Sequence, residues 1–164
     1  MKIREVELTD AVLAELIACS ERWEQENSCH GYRKNTEEDI KGNRIFLAIE
    51  DEETVGYLFG YMDKGERKNS IYEKDEPFFE VEELYVKPEL RSKGIGKQLF
   101  LYMEEVLKQE KVELILLSTA TKNYKAILHF YLDELGMEFW NARLFKRILE
   151  GGYVDMEGRN IDEA

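Results

Sequence analysis

The apolar and polar positions of this chain fall into patterns that predict its elements in turn. Ile3, Val6 and Leu8 make Lys2 to Leu8 a first strand. Thr9-Asp10 is a helix N-cap signal, and Val12, Leu13, Leu16, Ile17, Ser20 and Trp23 then recur at helical spacing. Glu24 to Asn35 is polar and irregular. Thr36 caps a short second helix that Gly42 stops. Ile45 to Ile49 and Thr54 to Met62 read as strands joined by the turn Asp51-Glu52-Glu53. Asp63 to Glu76 is strongly polar and predicts a mobile hairpin loop. Phe78 to Val86 is a strand that feeds a polar turn. Ile95, Leu99, Met103 and Val106 then mark one face of a long helix ending near Gln109. The unbroken Leu114-Ile115-Leu116-Leu117 makes Val112 to Thr119 a buried strand. Tyr124, Ile127, Leu128, Tyr131 and Leu135 predict a further helix, closed by Gly136. Met137 to Trp140 and Arg143 to Leu149 read as two last strands around Asn141-Ala142.

The order β, α, α, β, β, β, α, β, α, β, β is that of a mixed α/β domain over residues 1–149. It lacks the regular alternation of a doubly wound nucleotide fold. Residues 150–164 form an acidic tail with little periodicity. A length of 164 residues fits one domain, and 43% hydrophobic residues suffice for its core.

Charge narrows the partners. Asp and Glu number 35 against 23 Lys and Arg, a net charge of -12. That balance argues against non-specific binding to nucleic acid or an anionic membrane. The start of the chain has no apolar signal region and no run reaches membrane-spanning length, so the expectation is a soluble, cytoplasmic protein. Cys19 falls in an apolar helical pattern and reads as packing, whereas Cys29 falls in a polar loop open to solvent. With His30 and His129 they make no metal-type spacing, so no metal is expected.

Against this acidic background, Arg91, Lys93 and Lys97 surround Gly94 and Gly96 between a strand and a helix start. Backbone N–H groups at a helix start have no helix partner, the helix dipole favours an anion there, and glycines let a phosphate approach the main chain. The pair Gly94-Ile95-Gly96 alone is weak evidence. G-x-G-x-x-G fails at Leu99, and the phosphate-loop pattern fails at Gln98.

The wider frame is more specific. Arg91-Ser92-Lys93-Gly94-Ile95-Gly96 follows Leu84-Tyr85-Val86-x-Pro88, and further on come Asn123, Ala126, Phe130-Tyr131 and Gly136-Met137. In these two motifs the chain resembles the GNAT superfamily of N-acetyltransferases, over nearly all of it except the tail. Met137 stands where that family more often has Phe. The resemblance implies a GNAT fold: a mixed central sheet of about seven strands, splayed at its centre and flanked by about four helices. It implies acetyl-CoA as cosubstrate. Its pantetheine arm would lie along the backbone of Leu84, Tyr85 and Val86, beside Asn123. Its pyrophosphate would lie on the turn made by Arg91, Ser92, Lys93, Gly94, Ile95, Gly96 and Lys97. By the same resemblance Tyr131 is the acid that protonates the leaving thiolate, and Glu80 or Glu83, or a water chain, is the base. Simple alternation puts Glu80 and Glu82 on one face of the strand and Glu83 on the other, unless a bulge intervenes.

The function expected is transfer of an acetyl group to a primary amine. The loops Glu24 to Asn35 and Asp63 to Glu76 are rich in acidic and aromatic residues, including Trp23 just before the first of them, Tyr32, Asp63, Tyr72 and Glu76. With the strand's glutamates they suit a cationic small molecule, as in the aminoglycoside-acetyltransferase branch that Glu83-Leu84-Tyr85-Val86-x-Pro88 also resembles. A protein or peptide amine, a CoA-ester-binding module without turnover, and an acidic interaction protein that keeps only the fold stay open, as does a homodimer.

Overall fold

A computed structural model describes residues 1–146 and 148. Arg147 and residues 149–164, which include the expected acidic tail, lie outside the described residues. Five strands form one sheet in the order β1 (Lys2–Val6), β2 (Arg44–Glu50), β3 (Glu53–Lys64), β4 (Pro77–Val86) and β5 (Leu114–Leu117). The first four are antiparallel, and β5 joins β4 in parallel. A parallel neighbour needs a crossover. Helix α3 (Ile95–Gln109) supplies it.

Both faces of the sheet are covered. On one, α3 lays Leu99, Met103 and Leu107 against Phe46, Ala48, Leu58, Phe79 and Val81. On the other, α1 (Asp10–Glu26) and α2 (Glu37–Ile40) lay Leu16, Cys19 and Ile40 against Ile45, Leu47, Tyr57, Phe59 and Tyr85. Successive residues of β2 and β3 serve opposite clusters, which is why these strands read as unbroken apolar runs. The helix ends follow their sequence signals. Thr9 Oγ1 accepts from the Val12 N–H at 3.2 Å. The Asp39 carboxylate accepts from the N–H and hydroxyl of Thr36, both at 2.7 Å. α4 (Tyr124–Leu128) widens into a π-helical stretch, His129–Glu134, and Gly136 leaves it at φ 71°.

Three expectations are corrected. The sheet has five strands among the described residues, not about seven. The described residues of Met137–Trp140 and Arg143–Leu149 form no strand, because alternation makes a strand only where a ladder partner exists. Their side chains turn elsewhere: Trp140 donates to Ser70 Oγ at 3.1 Å, and the Phe145 ring meets His30. Second, β5 ends at Leu117, not Thr119, because it parts from β4 there. Third, Cys29 is half-buried rather than open to solvent, as its strand bridge to Thr121 covers it. Among the described residues no helix is long and apolar enough to cross a membrane.

Candidate active site

Pairing between β4 and β5 runs from Phe78↔Leu114 to Val81↔Leu117 and then stops, while β4 continues to Val86. At that point β4 carries an extra residue. Phe59 faces Glu83 and Gly60 faces Val81, so Glu82 has no partner on β3. Such a bulge bends its strand and increases the local twist. It also resets the alternation. Val81 and Phe79 face α3, whereas Glu83 and Tyr85, two and four residues on, face α1. Glu80 is paired with Tyr61 and Glu83 with Phe59, two residues apart on β3. Glu80 and Glu83 therefore share a face, correcting the simple alternation. Gly60 sits opposite the bulge, where a Cβ would lie 2.1 Å from the Glu80 carbonyl oxygen.

The end of β4 has an open edge. The Tyr85 carbonyl points towards β3, 2.8 Å from where a Gly56 Cβ would be. Alternation then turns the main-chain groups of Leu84 and Val86 to the side β5 has left. The Val86 oxygen is taken by Arg91 Nε at 2.9 Å, which leaves the Leu84 groups and the Val86 N–H. The Tyr85 side chain is buried against α1, so Tyr85 itself offers this edge nothing.

Beyond a 3₁₀ turn over Pro88–Leu90, the chain enters α3 through Ser92 at φ 60° and Gly94 at φ 79°. The first helical bond runs from Gln98 N–H to the Gly94 carbonyl at 3.0 Å, so the N–H groups of Ile95, Gly96 and Lys97 have no helix partner. The Gly96 Cα faces Phe130 and Val86, and the Ile95 side chain is in the core. Among the described residues, no ion pair engages Lys93 or Lys97. Arg91 is committed instead: Glu26 holds its guanidinium at 2.7 and 2.9 Å, and it lies over the Tyr85 ring. Asn123 caps α4 through Oδ1, 3.4 Å from the Ala126 nitrogen.

Between the parted strands lies a cavity of about 300 Å³. Glu83, Leu84, Leu117, Tyr131 and the segment Cys29 to Tyr32 line it. That segment is tied across it: His30 N–H donates to the Ala120 carbonyl and Lys122 N–H to the Ser28 carbonyl, each at 2.9 Å. Tyr131 is nine-tenths buried, and its phenol is pushed up to about 12 by burial, with the nearby Cys29 adding to it. It stays protonated at neutral pH. Burial pushes the Glu83 carboxyl up, and hydrogen bonds from Tyr57 and Asn35, with the Tyr32 hydroxyl close by, pull part of that back. Glu80 lies outside the cavity wall. Burial raises its carboxyl too, followed by the charges of Glu82 and Asp63. A larger open groove of about 780 Å³ follows the outer side of β5 and includes neither Glu83 nor Tyr131.

The arrangement can hold an anion at the head of α3, pair an amide-bearing chain with β4, and offer a proton donor and a proton acceptor along one cleft. Motif spacing placed Tyr131, Leu84 and the glycine turn. It missed Asn35 and Tyr57, whose hydrogen bonds to Glu83 come from elsewhere in the chain, while Tyr32, named for its aromatic loop, lines the same cavity.

The family model described as acetyltransferase (GNAT) family matches residues 10–137. Similar solved structures include an aminoglycoside acetyltransferase from an uncultured soil metagenomic sample, in complex with trehalose. It is 20% identical, with a TM-score of 0.66 over 91% of this chain and 96% of that one. An aminoglycoside N-acetyltransferase in complex with CoA is 17% identical, with a TM-score of 0.61 over 89% and 98%. A transcriptional regulator from Bacillus halodurans is 22% identical, with a TM-score of 0.65 over 90% and 99%. At these identities the likeness is one of fold. No curated protein matches the chain.

Proposed function

We propose a function from the premise that this chain belongs to the acetyltransferase (GNAT) family. It moves an acetyl group from acetyl-CoA to a primary amine of a cationic small molecule. One observation carries this reading. Leu84 on the free edge of β4, Glu83 and Tyr131 line a single cavity at the point where the sheet parts.

The residues fit acetyl-CoA, which supplies an acetyl group already activated as a thioester. The Leu84 groups and the Val86 N–H are left to pair with the pantetheine amides, and the Asn123 amide nitrogen is left for the arm or its water. The N–H groups of Ile95, Gly96 and Lys97, with Lys93 and Lys97, meet the pyrophosphate. Arg91 contributes by holding the end of β4 to α1. Glu83 takes the proton that the acceptor ammonium must lose before it can attack. Tyr131 gives its hydroxyl proton to the departing sulfur. Burial suits each to its role: it keeps the phenol protonated and makes the carboxylate a stronger base than an exposed one.

Glu82 and Asp63, both close enough to act on Glu80, support with it a cationic acceptor. So does the likeness to aminoglycoside acetyltransferases, one of them in complex with sisomicin. The test is CoA thiol release from acetyl-CoA with sisomicin, spermidine, lysine peptides, and neutral and acidic amines. Polycations are expected to be fastest, with KM rising as salt screens the attraction. Uncharged or acidic amines that beat every polycation would remove the acceptor assignment. Acetyl-CoA binding without turnover on any amine would point to a CoA-ester-binding module.

A further inference from the structure

Glu83 is held by residues that the chain order keeps far apart. Asn35, in the connection between α1 and α2, brings Nδ2 to 3.0 Å from both carboxylate oxygens. Tyr57, on β3, donates its hydroxyl to Oε2 at 2.7 Å. Asn35 is fixed in its turn. Its N–H donates to Ser20 Oγ at 2.9 Å, and that hydroxyl donates to the Ile17 carbonyl at 2.9 Å. Asn35, Ser20 and Tyr57 are all buried, so the holder is part of the core while the held residue, Glu83, lines the cavity.

The two oxygens are not equivalent. Oε2 is within reach of two donors, Asn35 and Tyr57, whereas Oε1 is within reach of Asn35 alone. A carboxylate has about four acceptor places in all, two per oxygen. Oε1 is therefore the oxygen with a place to spare. A carboxylate serving only to tie α1 to the sheet would have no reason to line the cavity that also holds Tyr131.

We propose that Asn35 and Tyr57 are positioning residues for Glu83: they fix its plane and occupy Oε2, so that Oε1 receives the acceptor's proton. This rests on the reading of Glu83 as the base. The groups that face the carboxyl are Tyr57 from β3, Tyr32 and Asn35 from the α1–α2 connection, and Glu82 on its own strand. The two donors, Asn35 and Tyr57, and the nearby Tyr32 hydroxyl, which makes no hydrogen bond among the described residues, favour the ionised form, and Glu82 opposes it. Removing a donor must therefore raise the pH at which Glu83 gives up its proton.

The experiment follows the Glu83 carboxyl carbon by NMR in full-length protein labelled at glutamate Cδ, its signal assigned by its loss in Glu83→Gln. This readout needs no acceptor. Tyr57→Phe keeps the buried ring and removes only the hydroxyl. Asn35→Ala is the independent second variant, and thermal melts confirm that each is folded. Both are expected to move the Glu83 midpoint to higher pH. The acidic limb of kcat/KM should move with it, measured with the amine that the acetyl-CoA screen selects. Midpoints unchanged in both folded variants would overturn the proposal. So would a moved midpoint with an unmoved acidic limb, which is the mark of a purely structural tie. Full turnover in Glu83→Gln would instead remove the base assignment, and the persisting titration shifts would show which of the two had failed.

Discussion

Gly94 gives the sharpest test of where the pyrophosphate lies. It turns the chain into α3 at φ 79°, in the left-handed region, and a Cβ there would meet only the Gln98 side-chain nitrogen at 3.9 Å. Space is not the constraint at this position, so the cost of a side chain is strain. For an L-residue that is about 1–2 kcal/mol. In a domain of this length it lowers Tm by about 2–8 °C. Gly94→Ala should therefore fold, melt slightly early and bind acetyl-CoA within a few-fold of the parent. Gly94→Glu carries the same strain and adds a carboxylate at the mouth of the N–H groups of Ile95, Gly96 and Lys97. Two like charges 4 Å apart repel by about 1 kcal/mol in water and about 4 kcal/mol at an effective dielectric of about 20. At about 1.4 kcal/mol per tenfold, affinity falls by about 5- to 1000-fold. Calorimetric titration of acetyl-CoA into parent, Ala and Glu variants, at low and high salt, measures this directly. The gap between the Ala and Glu variants should narrow as salt screens the repulsion. A Glu variant that melts like the Ala variant and binds acetyl-CoA like the parent would refute the placement.

Three further outcomes follow from the geometry. Tyr131→Phe should cut turnover by about 10²–10⁴-fold while leaving acetyl-CoA affinity intact, as a stopped-flow and binding comparison would read. Glu83 binds its proton more tightly folded than unfolded, so its contribution to stability is fully present below the unfolded value and is lost as pH rises through the folded one. The Tm of Glu83→Gln relative to parent should accordingly be higher at neutral pH than in acid, by differential scanning calorimetry. Gly60→Ala should lose soluble protein, because its Cβ would lie 2.1 Å from the Glu80 carbonyl oxygen, which is backbone and cannot turn aside.

The elements most legible in the sequence are those fixed by local periodicity and by caps. Residues Ile95, Leu99 and Met103 announce α3, and Thr9 and Thr36 sit where their helices begin. The glycine turn is legible because φ near 79° is a demand that Gly meets locally. What escaped depends on partners distant in the chain. Alternation misplaces Glu83 because Glu82 is skipped by β3, a fact of pairing and not of β4 itself. Asn35 and Tyr57 lie 48 and 26 residues from Glu83, so no motif spacing could join them. Arg91 matches its motif, yet its partners, Glu26 and the Val86 carbonyl, turn it into a brace. The segment after Gly136 has a strand's alternation without a ladder partner among the described residues.

The extra residue in β4 also implies something about the energetics of this sheet. Parallel pairing with β5 ends at Val81, directly before Glu82. A β4 shortened by that one residue would run straighter, and β5 could pair with it as far as Leu84 and beyond. The main chain would gain ladder bonds, and the sheet would be the more stable for it. The same bonds would consume the edge proposed for the cosubstrate. Cohesion and activity thus compete for one stretch of backbone, and a screen that rewards only thermal resistance would be expected to select the loss of Glu82 along with the loss of turnover.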